Sequence, residues 1–131
     1  MRRFTAEFEA IEQQSLPPID KVKAVLTAFA VYGDRHPARY RLLFSDPGIA
    51  SRGGTLEDAA MTTFLTFGRI VHAAQEAGDL PPVPTPTLTG LIYATMHGLL
   101  DFKSGGRMKA EKGFSNVLDG VDLMLELIGR K

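Results

Sequence analysis

The histidines His36, His72 and His97 are the first residues to weigh for chemistry, and each falls on a different segment. The chain has no cysteine, which excludes disulfides, thiolate metal sites and a cysteine nucleophile. His72 and Glu76 stand four residues apart and share a helix face, a spacing that makes an ordinary surface pair. No Glu-x-x-His occurs, so a di-metal carboxylate centre of the bundle type is disfavoured. Neither a Gly-x-Ser-x-Gly elbow nor a phosphate-binding loop is present. Ser104-Gly105-Gly106-Arg107 is rich in glycine but lacks the lysine and the strand-to-helix context, and it reads as a flexible turn. Glu57 and Asp58 are adjacent and suit a helix's first turn better than acid–base catalysis. These residues predict neither an enzyme, nor a cofactor, nor a metal site.

What remains is binding chemistry. Aromatic and sulfur side chains gather in the middle of the chain, where they can line an apolar cavity with a few polar tips. The candidate ligand contacts are Phe29, Tyr32, Met61, Phe64, Phe67, Tyr93, Met96 and His97, and Tyr40 belongs to the same aromatic group. The competing reading of any one of them is plain core. Tyr32, Tyr93 and His97 stand out because a buried hydroxyl or imidazole needs a hydrogen-bond partner. Either a ligand or a backbone carbonyl can fill that role. Gly98, next to His97, costs about 1 kcal/mol of helix propensity relative to alanine, which close helix packing offsets.

Helices alone can position such a set, because no strand pattern appears. The first runs from about Arg3 to Gln14, with Phe4, Phe8 and Ile11 on one face. Pro17-Pro18 ends it and starts a second, alanine-rich helix that breaks near His36, before Pro37. A short segment reaches Phe44, and Ser45 to Gly54 reads as a mobile loop. Thr55 caps a long helix to about Ala77, stopped by Gly78. After a stiff proline connector, Thr85 caps a helix from about Pro86 to Lys103, and a last helix spans about Phe114 to Ile128.

The size, 131 residues with 44% hydrophobic content, suits one domain over residues 1–131 with one core. Fifteen Lys and Arg balance fifteen Asp and Glu, so the basic excess that holds DNA phosphates is missing. No apolar run approaches the roughly 18 residues of a membrane span, and the first residues carry no signal core. A cytoplasmic protein without membrane contact is expected.

The last two helices are apolar around more of their circumference than one small core can cover. That excess predicts a homodimer, with the two helices and their copies forming an intermolecular four-helix bundle. The interface candidates are Leu91, Leu99, Phe114, Val117, Val121, Met124, Leu125 and Ile128. The alternative places both helices at the centre of a monomer.

Several stretches resemble one family. His36-Pro37-Ala38-Arg39-Tyr40-Arg41-Leu42-Leu43-Phe44 is similar to the "HPxLYRLMF" run of many TetR-type regulator C-terminal domains. Ala74-Gln75-Glu76-Ala77-Gly78-Asp79-Leu80 looks like their "xxAGxL" helix end. Leu91 to Leu99 resembles the "WHG" signature of one subgroup, with Met96 in place of the tryptophan. The resemblance implies an all-helical fold of five to six helices, dimerisation through the last two, and an effector pocket enclosed by the others. It also implies that DNA is read by an N-terminal helix-turn-helix module, which these residues do not contain. The expected function is a ligand-responsive regulatory domain that binds a small apolar effector. A dimerisation module without a ligand and a small helical enzyme are the alternatives.

Overall fold

In a computed structural model of the chain, the backbone is described for residues 2–40, 55–113 and 116–129. Side chains are described for these residues except 2–4 and 55–60. The described residues form six α-helices and a short 3-10 turn, with no strand among them: α1 (Arg2–Gln13), α2 (Pro18–Arg35), α3 (Pro37–Tyr40), α4 (Thr55–Glu76), α5 (Thr85–Ser104) and α6 (Val117–Gly129). The expected loop over 45–54, the end of the segment after Tyr40, the Thr55 side-chain cap and the interface candidate Phe114 lie outside the described residues.

The helix limits have local causes. Proline at position 37 excludes the helical conformation at the residue before it, and His36 sits at φ −134°, ψ 60°. Its N–H still donates to the Tyr32 carbonyl at 2.9 Å, so α2 closes without an orphan donor. At the end of α4, Gly78 takes φ 84°, and the Gly78 and Asp79 N–H groups return to the carbonyls of Gln75 (3.0 Å) and Ala74 (2.9 Å). This paired closure needs a left-handed residue, which glycine supplies without strain. Gly106, at φ 72°, ends α5 in the same way.

Two helix starts differ from the sequence expectation. The hydroxyl of Thr85 does not cap its own helix; Pro84 occupies the cap position, and the hydroxyl donates to Gln75 Oε1 at 2.6 Å. Gln75 in turn donates to the carbonyls of Pro81 (2.9 Å) and Val83 (2.7 Å), so one α4 side chain fastens the whole proline connector. The last helix begins at Val117 rather than Phe114, because Asn116 caps it. Its Oδ1 accepts the Asp119 N–H at 2.9 Å, and its amide donates to Asp119 Oδ2 at 3.0 Å. Replacing Asn116 with alanine should cost about 1 kcal/mol in chemical denaturation with an unchanged slope against denaturant.

The centre of the domain is α2, which packs against α1, α3, α4, α5 and α6. It buries Val22, Val25, Leu26, Phe29 and Ala30. Small residues make this position possible. A side chain on Gly33 would start 3.0 Å from Leu100 Cδ2, so its absence is what lets α5 approach. The N-terminal helix α1 lies across α2 and α4 and buries Phe8 and Ile11. It is also fastened by polar contacts: Thr5 Oγ1 to Thr63 Oγ1 at 3.1 Å, and Glu12 to Arg69 by two parallel bonds of 2.9 and 3.1 Å. Lys21 adds a bond from its ammonium to the Glu12 carbonyl at 2.7 Å.

Candidate functional site

The aromatic residues of α2, α4 and α5 meet because each sits on its helix's inward stripe. Phe29 faces α5 from the middle of α2, and Tyr93 and His97, one turn apart on α5, present their rings to it. Tyr93 is the hub: its ring centroid lies 5.1 Å from Phe29, 5.4 Å from Phe64, 6.3 Å from Phe67 and 4.5 Å from His97. Most of these pairs are edge-to-face, the arrangement ring quadrupoles favour. Phe8 of α1 joins by packing edge-on to Phe29 at 5.1 Å. A continuous chain of rings therefore runs from α5 through α2 to the N-terminal helix.

Polar chemistry enters at His97. Its Nδ1 is hydrogen-bonded to the hydroxyl of the buried Tyr40 of α3, whose ring lies 5.4 Å from the imidazole. Burial lowers the His97 pKa from 6.5 to about 4, which makes the imidazole neutral at physiological pH. Burial also raises the Tyr93 pKa, so its phenol stays protonated. The arrangement is an uncharged aromatic cluster with hydrogen-bonding tips. It suits recognition of an apolar molecule. Among the described residues no group of three His, Cys, Asp or Glu side chains is placed to hold a metal ion.

Of the expected ligand contacts, Phe29, Phe64, Phe67, Tyr93 and His97 come together here. Met96 is fully buried on the neighbouring stripe of α5, in the hydrophobic core. Tyr32 stands at the margin with its ring 5.3 Å from that of His36. Met61 is displaced from the expectation: it is 56% exposed, because the register of α4 turns it outward while Thr63, Thr66 and Phe67 face in. The Tyr40–His97 bond was not foreseen as a pair. Its partners are 57 positions apart, and no local spacing signals such a contact.

Phe64 is also the inner wall of an open groove between α4 and α5, about 460 Å³ in volume, which Leu65, Gly68, His72, Pro86 and Thr89 help to line. The hydroxyl of Thr89 is buried there with no hydrogen-bond partner among the described residues. Replacing Thr89 with valine, which keeps the shape and removes the unsatisfied group, should stabilise the domain by about 1 kcal/mol in thermal or chemical denaturation. A loss of stability would show that the hydroxyl is satisfied.

The interface candidates separate into two groups. Val117, Val121 and Leu125 belong to the core of the single chain (Val121 is 2% exposed), which corrects the expectation that they face a partner. They lie on the arc of α6 that packs against α5 and α2. Leu99, Met124 and Ile128 are half-buried against that core, and Leu91 is 57% exposed. The apolar residues of α6 that do face outward are Leu118, Leu123 (47%) and Leu127 (58%), which count in the apolar excess of the last helix but not among the interface candidates. On α5, no Asp, Glu, Lys or Arg occurs from Thr85 to Leu100, and the outer side carries Leu91, Ala94 and the open positions Gly90 and Gly98. No described helix is long and apolar enough to cross a membrane.

Residues 22–127 match the family pattern of the tetracycline repressor-like C-terminal domain. Comparison with curated proteins yields no match, and neither does comparison with solved structures.

Proposed function

This chain belongs to the tetracycline repressor-like C-terminal domain family, and from that premise we propose that it is the effector-sensing, dimerising part of a cytoplasmic transcriptional regulator. Domains of this family are regulatory rather than catalytic. In this reading a small, predominantly apolar effector occupies the cluster around Phe29, Phe64, Tyr93 and His97. Two copies pair through the outer sides of α5 and α6. DNA is contacted through a helix-turn-helix module outside these residues, since the chain's net charge of +0 gives it no general attraction to phosphates.

The observation that carries the sensing role is the ring chain from Tyr93 through Phe29 to Phe8, with Thr5–Thr63 and Glu12–Arg69 beside it. An effector that moves Phe64 acts on α4, to which α1 is tied by hydroxyl contact and ion pair, and one that moves Tyr93 acts on Phe29 of α2, against which Phe8 of α1 packs. Such a ligand shifts a two-state population only through its different affinity for the two states, typically about 1–3 kcal/mol. Pairing is supported by the outer side of α5, which carries no charge from Thr85 to Leu100, and by Leu123 and Leu127, which a solvated face would not carry together.

The test is a thermal-shift screen of the purified chain against small apolar compounds. A bound effector raises the melting temperature saturably, by an amount set by its concentration relative to Kd. The shift should disappear when Tyr93 is replaced with alanine. If no compound stabilises the chain, the sensing role is lost and a plain dimerisation module is the better description.

A further inference from the structure

We propose that the groove between α4 and α5 binds an apolar carbonyl compound, a ketone or ester, whose carbonyl oxygen accepts a hydrogen bond from Thr89. The site lies across Phe64 from the aromatic cluster and does not depend on that cluster holding an effector.

The groove's volume, about 460 Å³, falls within the range of small-molecule sites, and Phe64, Leu65 and Pro86 give it apolar walls. Leu65 is 55% exposed, so this apolar surface meets water in the single chain. Gly68 and Thr89 face each other from the two helices, and a methyl group on Gly68 would stand 3.8 Å from Thr89 Oγ1. That hydroxyl is buried and has no hydrogen-bond partner among the described residues. A helical threonine ordinarily donates to the carbonyl four residues back, as Thr27 (2.8 Å), Thr66 (3.0 Å) and Thr95 (2.8 Å) do. Thr89 makes no such bond, and its hydroxyl is directed at Gly68 instead. A buried hydroxyl in this state carries a desolvation cost that a ligand removes by bonding to it.

The hydroxyl's proton decides the class of ligand. It needs an acceptor, and a carbonyl oxygen is one that brings no proton of its own. An alcohol that accepted from Thr89 would carry a second proton into the groove, where the other polar side chains are already engaged. Arg69 holds Glu12 by two bonds of 2.9 and 3.1 Å and reaches Thr66 at 3.2 Å. The Thr85 hydroxyl donates to Gln75 at 2.6 Å, and His72 is held between Thr85 (3.2 Å) and Glu76 (2.8 Å). Breaking one of these contacts to satisfy an alcohol offsets the bond gained at Thr89. A ketone or ester satisfies the threonine and leaves the rim as it stands, with its hydrocarbon part against Phe64, Leu65 and Pro86.

The experiment titrates the unaltered protein and two variants with benzophenone, benzhydrol and diphenylmethane, matched in shape and differing only at the central carbon. Benzophenone should bind the unaltered protein about tenfold more tightly than either of the others. Thr89→Val keeps the shape of the groove and should abolish that preference while diphenylmethane binds as before. Gly68→Ala places a methyl group over Thr89 at an ordinary contact distance and favours the helix, so the variant should fold and bind benzophenone at least several-fold more weakly. Should Thr89→Val fail to fold, infrared spectroscopy of benzophenone on the unaltered protein replaces it, with the carbonyl stretch moving to lower frequency than in hydrocarbon solvent. Benzhydrol or diphenylmethane binding as tightly as benzophenone overturns the proposal. So does a ketone preference that survives Thr89→Val, an unmoved carbonyl stretch, or binding untouched by Gly68→Ala, which would put the ketone elsewhere. If none of the three binds, the proposal also falls; a dimer that Leu65→Glu then converts to a monomer would show a second copy covering the groove. None of these outcomes bears on the aromatic cluster, whose own test is the loss of a ligand shift in Tyr93→Ala.

Discussion

Replacing Leu123 and Leu127 together with glutamate should give a folded monomer, whereas Val121→Asp alone should give a chain that does not fold. The contrast follows from where α6 points its residues. Val121 is enclosed by the chain's own core, and an aspartate there is a buried charge with no partner. The cost, about 3–5 kcal/mol or more, approaches the whole stability of a small domain. Leu123 and Leu127 are half exposed in the single copy, so glutamates there face water when the copy is alone. In a paired state they meet a second apolar surface and a second set of carboxylates. Dissociation should become at least about a hundredfold easier, equivalent to about 3 kcal/mol. Circular dichroism distinguishes folded from unfolded, and sedimentation distinguishes one copy from two. An unfolded double variant would mean that these leucines support the monomer; an unchanged dimer would mean that the pair forms elsewhere.

The second large effect is on acid stability. His97 has a folded pKa of about 4 against an ordinary value of 6.5, because burial disfavours the imidazolium. Between those values the unfolded chain takes up a proton that the folded chain refuses. Stability is therefore fully present above about pH 6.5 and declines as pH falls toward 4, by about 3 kcal/mol across the window. The sign is that of a buried neutral base: raising pH stabilises. Denaturant titrations at pH 7, 5.5 and 4.5 measure the slope. His97→Leu should flatten it, while also losing part of its stability at pH 7, because the Tyr40 hydroxyl loses its bond to His97. An unchanged slope in the variant would place the acid sensitivity elsewhere.

The helices were legible in the sequence because their signals are local. Pro17-Pro18, Pro37, Gly78 and the Pro84-Thr85-Pro86 run each mark a boundary within a residue or two of where the chain turns. The start of α6 was missed although its signal was present: Asn116 and Asp119 form a cap three residues apart, but Phe114 extends the apolar run and masks it. The site was partly legible for the same reason. Phe64 and Phe67 share an α4 face, and Tyr93 and His97 share an α5 face, so each pair follows from helical spacing. Met61 obeys the same spacing arithmetic and still points to solvent, because periodicity fixes a face without saying which side of it meets a neighbour.

The proposed interface shows that limit most clearly. Both arcs of α6 are apolar, one through Val117, Val121 and Leu125 and the other through Leu123 and Leu127. Counting apolar residues detected the excess but could not assign the arcs. Only the position of α6 on α5 and α2 shows that the valines are spent inside the chain. The joining of Tyr40 to His97 belongs to the same class, since residues 57 positions apart meet only through the fold.

In the proposed reading, a signal from the aromatic cluster would reach DNA only by changing the relation between two copies, because two heads must engage successive turns of the duplex together. Pairing is therefore the claim on which the rest depends. Sedimentation velocity of the unaltered chain over a wide concentration range tests it directly. The account predicts a species of twice the 14.3 kDa chain mass that persists on dilution into the micromolar range. A single species of 14.3 kDa at every concentration would contradict it.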